Sequence, residues 1–244
     1  MSRPRRVAIV QSSYVPWKGY FDLVNLADEF VLLDDAQYTR RDWRNRNRIK
    51  TADGLRWLTI PVAVKGRYHQ LVQDVRVADR AWRRRHWRGL SMAYAHAAFF
   101  EPYEDRFREL YLNGDDESLS AINRRFLDAV CHELGIVTRI SFSKDHEVPP
   151  GDASERLARL VQAVGGTQYV SGPSARAYLR VEPFRARGIE VFFIDYDSYP
   201  EYRQCHGPFE HRVSVLDLLF NEGPRATRFM KSFGVPEPIV AAEP

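Results

Sequence analysis

Two adjacent carboxylates and a run of arginines share the stretch DDAQYTRRDWRNRNRIK, from Asp34 to Lys50. Arg captures phosphate or carboxylate through paired, planar hydrogen bonds, and Asn can bind hydroxyls or amides. On an extended segment, alternation sends Arg44, Arg46 and Arg48 to one face and the intervening Trp and Asn residues to the other. We expect the arginine face to bind a nucleotide, a pyrophosphate or a phosphorylated thiol carrier. The alternative is a solvated surface whose charges pair with neighbouring Asp residues.

The carboxylates Asp34 and Asp35 follow the apolar run EFVLL, which predicts a strand. Carboxylates at a strand end can act as a general base or hold a divalent cation. Alternation points neighbours in opposite directions, so at most one of the two is expected to face a pocket. A salt bridge from either carboxylate to the arginine run is the competing interpretation.

The loop QSSYVPWKGYF, residues 11–21, follows the first predicted strand. Ligands of α/β sheets bind at the carboxyl ends of strands, so this loop is a candidate site. Its outline is that of the GxFDPxxxGH loop of nucleotidyltransferases, but Trp17 and Tyr20 stand where that loop carries its imidazoles. A helix that begins at Gly19 can still hold an anion. A loop that packs its aromatic rings into the core is the alternative.

A third candidate segment, DYDSYPEYRQCHGPFEHR, contains Tyr202, Gln204 and Cys205. Cys205 is adjacent to His206, but neighbours on an extended segment point apart. A nucleophilic Cys205 therefore requires a base from elsewhere, such as His69. For this reason we prefer a mechanism without a covalent cysteine intermediate.

A second basic cluster lies in AWRRRHWRGL, where arginines surround two tryptophans on a predicted helix. Such a surface can receive an acidic carrier protein, bind nucleic acid by stacking and phosphate contact, or simply face solvent. We expect an acidic carrier protein before nucleic acid. The arginines concerned are Arg83, Arg84, Arg85 and Arg88.

Short β-branched apolar runs alternate with amphipathic segments, which indicates strands separated by helices. LRWLTIPVAV and LVQDVRV read as further strands, and SARAYLR as a helix. The sequence predicts an α/β fold with a mainly parallel sheet flanked by helices, an α-helical middle segment and an N-terminal βαβ unit like that of nucleotidyltransferases. We expect a single domain over residues 1–244, with a frayed tail over residues 236–244 because VPEPIVAAEP is rich in Pro.

The 244 residues carry a formal net charge of +4 and contain two cysteines. The charge permits a polyanionic partner without requiring one, and the cysteines have neither CxxC nor zinc-finger spacing. The basic start is too poor in apolar residues for a signal peptide, and no stretch reaches the length of a membrane span. We therefore expect a cytoplasmic protein. The sequence requires no cofactor, although the carboxylates are compatible with a divalent metal.

Residues 11–62 resemble the N-terminal signature of the WbqC-like family, in which a Gln-Pro-x-x-x-Pro-x-x-Gly-Tyr-Phe loop precedes an Asp-Asp pair and an Asn-Arg-Asn-Arg-Ile run. The C-terminal half agrees through YVSGPSARAYL, GIEVFFIDY and SVLDLLFNEG. This chain has Ser12 where members commonly have Pro, so its loop is expected to be less rigid. Members resemble proteins encoded among genes for surface polysaccharides and specialised metabolites. The matching residues are Gln11, Pro16, Gly19, Tyr20, Phe21, Asp34, Asp35, Trp43, Asn45, Arg46, Asn47, Arg48, Ser171, Gly172, Pro173, Tyr202 and Gln204.

Together these observations predict a biosynthetic enzyme of polysaccharide or specialised-metabolite assembly that transfers an acyl or aminoacyl group to an amine of a phosphate-bearing substrate. A nucleotidyltransferase-like enzyme is the first alternative, and a nucleic-acid-binding module is the second. The predicted catalytic residues, which should share one cavity with the binding residues, are Asp34, Asp35, Tyr202 and Gln204. The predicted substrate-binding residues are Gln11, Tyr14, Trp17, Gly19, Tyr20, Arg41, Trp43, Asn45, Arg46, Asn47, Arg48, Ser171, Gly172 and Pro173.

Overall fold

The computed structural model describes residues 3–149, 151–234 and 238–242 of the chain. Its strands are β1 (Arg6–Val10), β2 (Glu29–Leu32), β3 (Arg46–Thr51), β4 (Gly54–Thr59), β5 (Arg139–Phe142), β6 (Gln168–Ser171), β7 (Glu190–Ile194) and β8 (Ile239–Ala241). Its helices are α1 (Lys18–Leu26), α2 (Trp82–Tyr94), α3 (Phe100–Leu112), α4 (Leu119–Leu134), α5 (Ala153–Ala163), α6 (Glu182–Arg185) and α7 (Val215–Glu222). Short 3-10 turns, including Val72–Asp74 and Pro173–Ala177, lie between them.

A six-stranded sheet crosses the described part of the chain in the order β5-β2-β1-β6-β7-β8. All neighbouring strands are parallel except β8, which pairs antiparallel with β7. β1 reads RVAIV and is apolar along most of its length, because helices cover both faces of a parallel sheet. Val7 and Ile9 pack into one hydrophobic core and Ala8 into the other, since successive side chains point to opposite faces. These features confirm the predicted α/β fold.

β1 lies between the strands that precede and follow the helical middle segment. The connection through α1 places β2 on one side of β1 in the predicted βαβ arrangement, and β6 is added later on the other side. Numbered by their order in the chain, the five parallel strands run third, second, first, fourth, fifth across the sheet, which is the order of doubly wound sheets. The loops after β1 and β6 therefore leave in different directions. The crevice between such loops is where ligands of these sheets bind.

The middle of the chain is helical, and its longest helix begins and ends according to local capping chemistry. The side chain of Ser118 accepts a hydrogen bond from the backbone N–H of Ala121 at the start of α4, and Gly135 ends this helix with φ of 68°. Gly adopts this left-handed conformation readily because it has no Cβ. Beside α2, the strands β3 and β4 form a separate antiparallel hairpin.

Three local predictions differ from the structure. LVQDVRV contains a 3-10 turn over Val72–Asp74, because its backbone closes i to i+3 hydrogen bonds instead of a strand ladder. SARAYLR follows Pro173 in a 3-10 turn that ends at Ala177, not in an α-helix. Within the tail that was predicted to fray, Ile239–Ala241 hydrogen-bond to β7 as the edge strand of the sheet. Residues 236, 237, 243 and 244 of that tail lie outside the described residues.

Candidate functional site

Two adjoining cavities open at the carboxyl ends of β1 and β6. The larger, of about 700 Å³, is lined by Val10 and Gln11 at the end of β1 and by Ser171, Gly172 and Pro173 at the end of β6. The smaller, of about 390 Å³, lies against the loop that follows β1 and shares part of its lining with the larger cavity. We call them the large lobe and the small lobe of one cleft. Their position is the one expected for a ligand site in a sheet of this order.

The loop after β1 has a backbone conformation that its sequence does not favour. Val15 is fully buried and has φ of 37°, in the left-handed region that a β-branched residue rarely adopts. Pro16 follows it, and a residue before Pro ordinarily prefers an extended conformation. Asn47 holds this turn by donating hydrogen bonds from Nδ2 to the carbonyl oxygens of Val15 (2.7 Å) and Tyr14 (3.3 Å). Strain of this kind persists where the surroundings fix it, and it clusters at functional sites.

This turn presents two aromatic rings that line both lobes, those of Trp17 and Tyr20. The Trp17 ring meets Tyr196 and Tyr199 edge to face, with centroids 4.9 Å and 5.4 Å away. Gly19 makes room for it, because a Cβ built on Gly19 would lie 2.4 Å from the Trp17 ring. The Tyr20 hydroxyl donates to a carbonyl of the same loop at 3.2 Å, and burial raises the pKa of Tyr20. Tyr20 therefore serves the cleft as a neutral aromatic wall.

Arg44 is the cation at the junction, because it lines both lobes. Its Nη1 donates to the carbonyl oxygens of Gln11 (3.0 Å) and Ser12 (3.2 Å) and to Ser13 Oγ (3.1 Å). Its Nη2 lies 3.6 Å from Asp42, and its buried Nε has no hydrogen-bond partner among the described residues. Arg44 therefore ties the loop after β1 to the hairpin and leaves positive charge at the cleft.

Arg156 supplies a second cation to the large lobe from the first turn of α5. Its guanidinium donates to Asp35, and Asp35 also accepts a hydrogen bond from Ser143 Oγ at 2.6 Å. Asp35 is not among the residues that line either lobe. Asp35 thus holds Arg156 in place, and its ion pair is with this residue of α5 instead of with the arginine run of residues 40–50.

Asp34 is buried and bonded within the fold. Its carboxylate accepts hydrogen bonds from the backbone N–H of Ser12 at 2.8 Å and from the Ser120 hydroxyl. Only 1% of Asp34 is exposed, and it lines neither lobe. β2 ends at Leu32, so strand alternation does not govern the direction of either carboxylate. Asp34 connects the loop after β1 to α4 and does not reach the cleft.

Tyr202 and Gln204 belong to a largely buried hydrogen-bond network, and neither residue lines a lobe. Tyr202 (2.7 Å) and Gln204 (2.8 Å) donate to Oδ1 of Asp217, and Tyr94 donates to its Oδ2 at 2.8 Å. Lys50 Nζ donates to Gln204 Oε1 at 2.7 Å and links this network to the hairpin. Burial raises the pKa of Asp217, against which the three hydrogen bonds act. Their bonding fits a structural role for both predicted catalytic residues.

Within the described part of the chain, the hydrogen bond of Cys205 is to an amide and not to an activating base. Its Sγ donates to Asn221 Oδ1 at 3.1 Å, and burial, followed by the negative charge of Asp217, raises the pKa of the thiol. His206 turns away and places Nε2 2.7 Å from the carbonyl oxygen of Ala93. A thiolate is the nucleophilic form of cysteine, so this environment disfavours covalent catalysis by Cys205.

Several predicted binding residues pack inside the protein. Asn45 is buried and donates to the carbonyl oxygen of Ile60 at 2.8 Å. Tyr14 is fully buried, and its hydroxyl lies 2.9 Å from Nδ1 of His86. Arg41, also a predicted binding residue, is instead exposed. It has a left-handed φ of 59° and lines neither lobe.

The arginines of β3 face outward on the hairpin, as alternation predicts, but they stack on tryptophans. The guanidinium carbon of Arg46 lies 4.2 Å from the ring centroid of Trp57, and that of Arg48 lies 5.5 Å from Trp57 and 5.7 Å from Trp43. Trp43 precedes β3, so it joins the arginine face instead of the Asn face. The predicted comb is therefore a mixed surface of guanidinium groups and indole rings.

The second basic cluster is only partly exposed. Arg83 is 7% exposed and donates to the carbonyl oxygen of Asp116 at 2.7 Å, and Arg85 pairs with Asp79 at 2.8 Å. Of the four arginines predicted to bind a carrier protein, Arg83 is therefore buried and Arg85 is paired with a carboxylate. The remaining exposed arginines of the cluster are Arg84 and Arg88.

The described residues contain no group of three or more His, Cys, Asp or Glu side chains placed to hold a metal ion. Among the helices of the described part, none is both long enough and apolar enough to cross a membrane.

The cleft brings together eight residues of the predicted binding set and leaves the predicted catalytic residues outside. Sequence reasoning missed Arg156, Tyr178 and Tyr196, which line the large lobe. No local pattern distinguishes them, because each becomes a lining residue only through the fold. The predicted residues that line a lobe are Gln11, Trp17, Tyr20, Trp43, Asn47, Ser171, Gly172 and Pro173.

Comparison with known proteins finds similarity over most of the chain. The sequence model of the WbqC-like protein family matches residues 11–229. The chain is also 49% identical over 227 residues to a Mycobacterium tuberculosis protein described as "Uncharacterized protein Rv1507c", covering 93% of this chain and 98% of that protein. No solved structure matches the chain.

Proposed function

Because the chain belongs to the WbqC-like protein family and carries a two-lobed cleft at the switch point of its sheet, we propose that it is a biosynthetic transferase acting on a phosphate-bearing small molecule. The reaction we propose is transfer of an acyl or aminoacyl group to an amine. Its setting is the assembly of a polysaccharide or specialised metabolite in the cytoplasm.

One observation supports this proposal most strongly: Arg44 and Arg156 line a cleft whose walls are mostly apolar. The large lobe, at about 700 Å³, has the size of a small-molecule site, and such sites combine apolar walls with a few polar groups. Guanidinium groups bind phosphate and carboxylate oxygens through charge-assisted hydrogen bonds. A ligand with a phosphate and an apolar or planar part therefore suits this site.

The two lobes also suit a reaction with two substrates. Arg44 lies on both, so groups bound in the two lobes would meet beside its positive charge. In the proposed transfer the amine nitrogen attacks the acyl carbonyl carbon, the bond to the leaving group breaks, and the nitrogen proton passes to water. Positioning of the reactants and stabilisation of the developing oxyanion by a cation are the contributions that this geometry offers.

Neither lobe is lined by a carboxylate in the described part of the chain. The proposal therefore assigns no direct proton transfer to Asp34 or Asp35. Asp35 acts instead through Arg156, which it holds by an ion pair, and Asp34 acts through the loop after β1. Substitution of Asp35 is therefore expected to displace Arg156, and substitution of Asp34 to displace the loop after β1, without removing a group that contacts the substrate.

Isothermal titration calorimetry with inorganic pyrophosphate, coenzyme A and UDP- and dTDP-sugars tests the proposal. Arg156→Ala should weaken binding of the preferred ligand by at least tenfold, because one charge-assisted hydrogen bond contributes about 1.5–3 kcal/mol. Asp35→Asn should weaken it less, since Arg156 is retained but no longer held. Arg88→Ala removes an exposed arginine outside the cleft and is the matched control. Equal binding by Arg156→Ala and Arg88→Ala, both folded by circular dichroism, contradicts the proposal.

A nucleotidyltransferase-like reaction is a second candidate, favoured by the strand order and by the position of the loop after β1. Trp17 and Tyr20 supply no imidazole to this loop, so a nucleotidyl transfer would need other groups. Release of pyrophosphate from ATP or CTP on mixing with the protein would support this candidate over acyl transfer.

A further inference from the structure

The outer face of the hairpin carries two exposed indole rings next to the cleft. Trp43 is 41% exposed and Trp57 is 42% exposed, and their ring centroids are 5.5 Å apart at an angle of 37°. Trp57 lies opposite Arg48 in the register of β3 and β4, so both side chains share one face. We call Trp43, Arg46, Arg48 and Trp57 the hairpin platform. Two aromatic rings exposed side by side are available for stacking with a ligand.

The platform is positively charged. Arg46 covers part of the Trp57 ring and also donates to the carbonyl oxygen of Arg41. The buried Nε of Arg48 has no hydrogen-bond partner among the residues that the structure describes, and its guanidinium carbon lies beside both indole rings, 5.7 Å from the centroid of Trp43 and 5.5 Å from that of Trp57. A surface that interleaves aromatic rings with arginine binds planar, electron-rich rings by stacking and the phosphates attached to them by charge.

The platform is continuous with the cleft through one residue. Trp43 lines the small lobe together with Arg44, while its ring also belongs to the outer face. The carbonyl oxygen of Trp43 accepts a hydrogen bond from the backbone N–H of Tyr14 at 3.1 Å, which fixes it to the loop after β1. A ligand with a ring on the platform can therefore extend its phosphates toward Arg44 without crossing a gap in the surface.

We propose that the hairpin platform binds the nucleobase of a nucleoside diphosphate or nucleotide-linked substrate whose phosphates lie in the cleft. This inference rests on the proposed function and names the class of its substrate. The indole rings are too close for a base to insert between them, so the base stacks on their exposed faces. The small lobe then receives the ribose, and the diphosphate lies beside Arg44, where the small lobe meets the large one.

The test compares ADP and UDP with inorganic pyrophosphate by isothermal titration calorimetry. In the wild-type protein the tighter of the two nucleotides should bind roughly five- to a hundred-fold more strongly than pyrophosphate, the range that stacking of one base provides. Trp57→Ala should abolish most of this preference and leave pyrophosphate binding unchanged, and Trp57→Phe should keep most of it. Tyr68→Ala is the control. Tyr68 is also an exposed aromatic residue with an arginine, Arg40, near its ring, but it does not belong to the platform.

Three results overturn the inference. If pyrophosphate binds but neither nucleotide binds more tightly, the platform does not hold a base, while the proposed function stands. If the preference survives Trp57→Ala, the base lies elsewhere. If a single-stranded oligonucleotide binds more tightly than either nucleotide with steep salt dependence, the platform is a nucleic-acid surface. Absence of binding by pyrophosphate and both nucleotides counts against the proposed function itself.

Discussion

Asn47→Ala tests whether one side chain holds the strained loop after β1. Asn47 donates to the carbonyl oxygens of Val15 (2.7 Å) and Tyr14 (3.3 Å), and its Oδ1 accepts from the backbone N–H of Arg48 (2.7 Å). Alanine removes all three hydrogen bonds at a position that is 3% exposed. At about 1 kcal/mol for each bond, and more for a polar group left unpaired, the free energy of unfolding should fall by about 2–4 kcal/mol.

Asn45→Ala is the matched control, because Asn45 is also buried on the hairpin but makes fewer bonds. Its Nδ2 donates to Ile60 at 2.8 Å, and its buried Oδ1 has no partner among the described residues. This variant should lose about 1 kcal/mol or less. Urea unfolding measures both losses, and in thermal unfolding Asn47→Ala should melt roughly 5–10 °C below wild type. Equal losses in the two variants would refute the claim that Asn47 restrains the loop.

The remaining predictions concern the cleft wall, the cysteine and a buried histidine. Gly19→Ala places a Cβ 2.4 Å from the Trp17 ring, so the ring must move. The affinity for pyrophosphate should then fall while the circular dichroism spectrum stays unchanged. An unchanged affinity would count against Trp17 as a wall of the cleft. Cys205→Ser and iodoacetamide treatment should leave ligand binding and turnover intact, whereas an acyl adduct on Cys205 in intact-mass spectra would contradict this. Burial lowers the pKa of His86 from its ordinary value of 6.5 to about 4, so between those values the unfolded chain binds a proton that the folded chain does not. The free energy of unfolding should therefore be unaffected by His86 above about pH 6.5 and should fall by up to about 3 kcal/mol as the pH is lowered toward 4. In His86→Gln, unfolding free energies measured across the same pH range should decline less.

The sequence predicts the sheet well because its signals are local. Apolar runs such as RVAIV mark buried strands, and the amphipathic segments between them mark helices. The site at the end of β1 follows from the same information, since the loop after a central parallel strand borders the crevice of such a sheet. The residues predicted from that rule, among them Gln11 and Tyr20, line the cleft.

The predicted catalytic residues do not line the cleft, and the sequence could not show this because their hydrogen-bond partners are distant in sequence. Asp34 bonds to Ser120 and Asp35 to Arg156, and no local pattern announces either pairing. Alternation also could not orient the two carboxylates, since the strand ends before them at Leu32. The arginine run shows the same limit: the sequence indicates its charge, but the stacking on Trp57 depends on the register of a hairpin.

The central claim is that the cleft at the ends of β1 and β6 binds a phosphate-bearing ligand, and a crystal structure of the protein soaked with ADP tests it most directly. We predict phosphate oxygens within hydrogen-bond distance, about 2.7–3.2 Å, of Arg44 or Arg156. ADP bound with its phosphates on the exposed surface of Arg84 and Arg88, with none at Arg44 or Arg156, would contradict the claim.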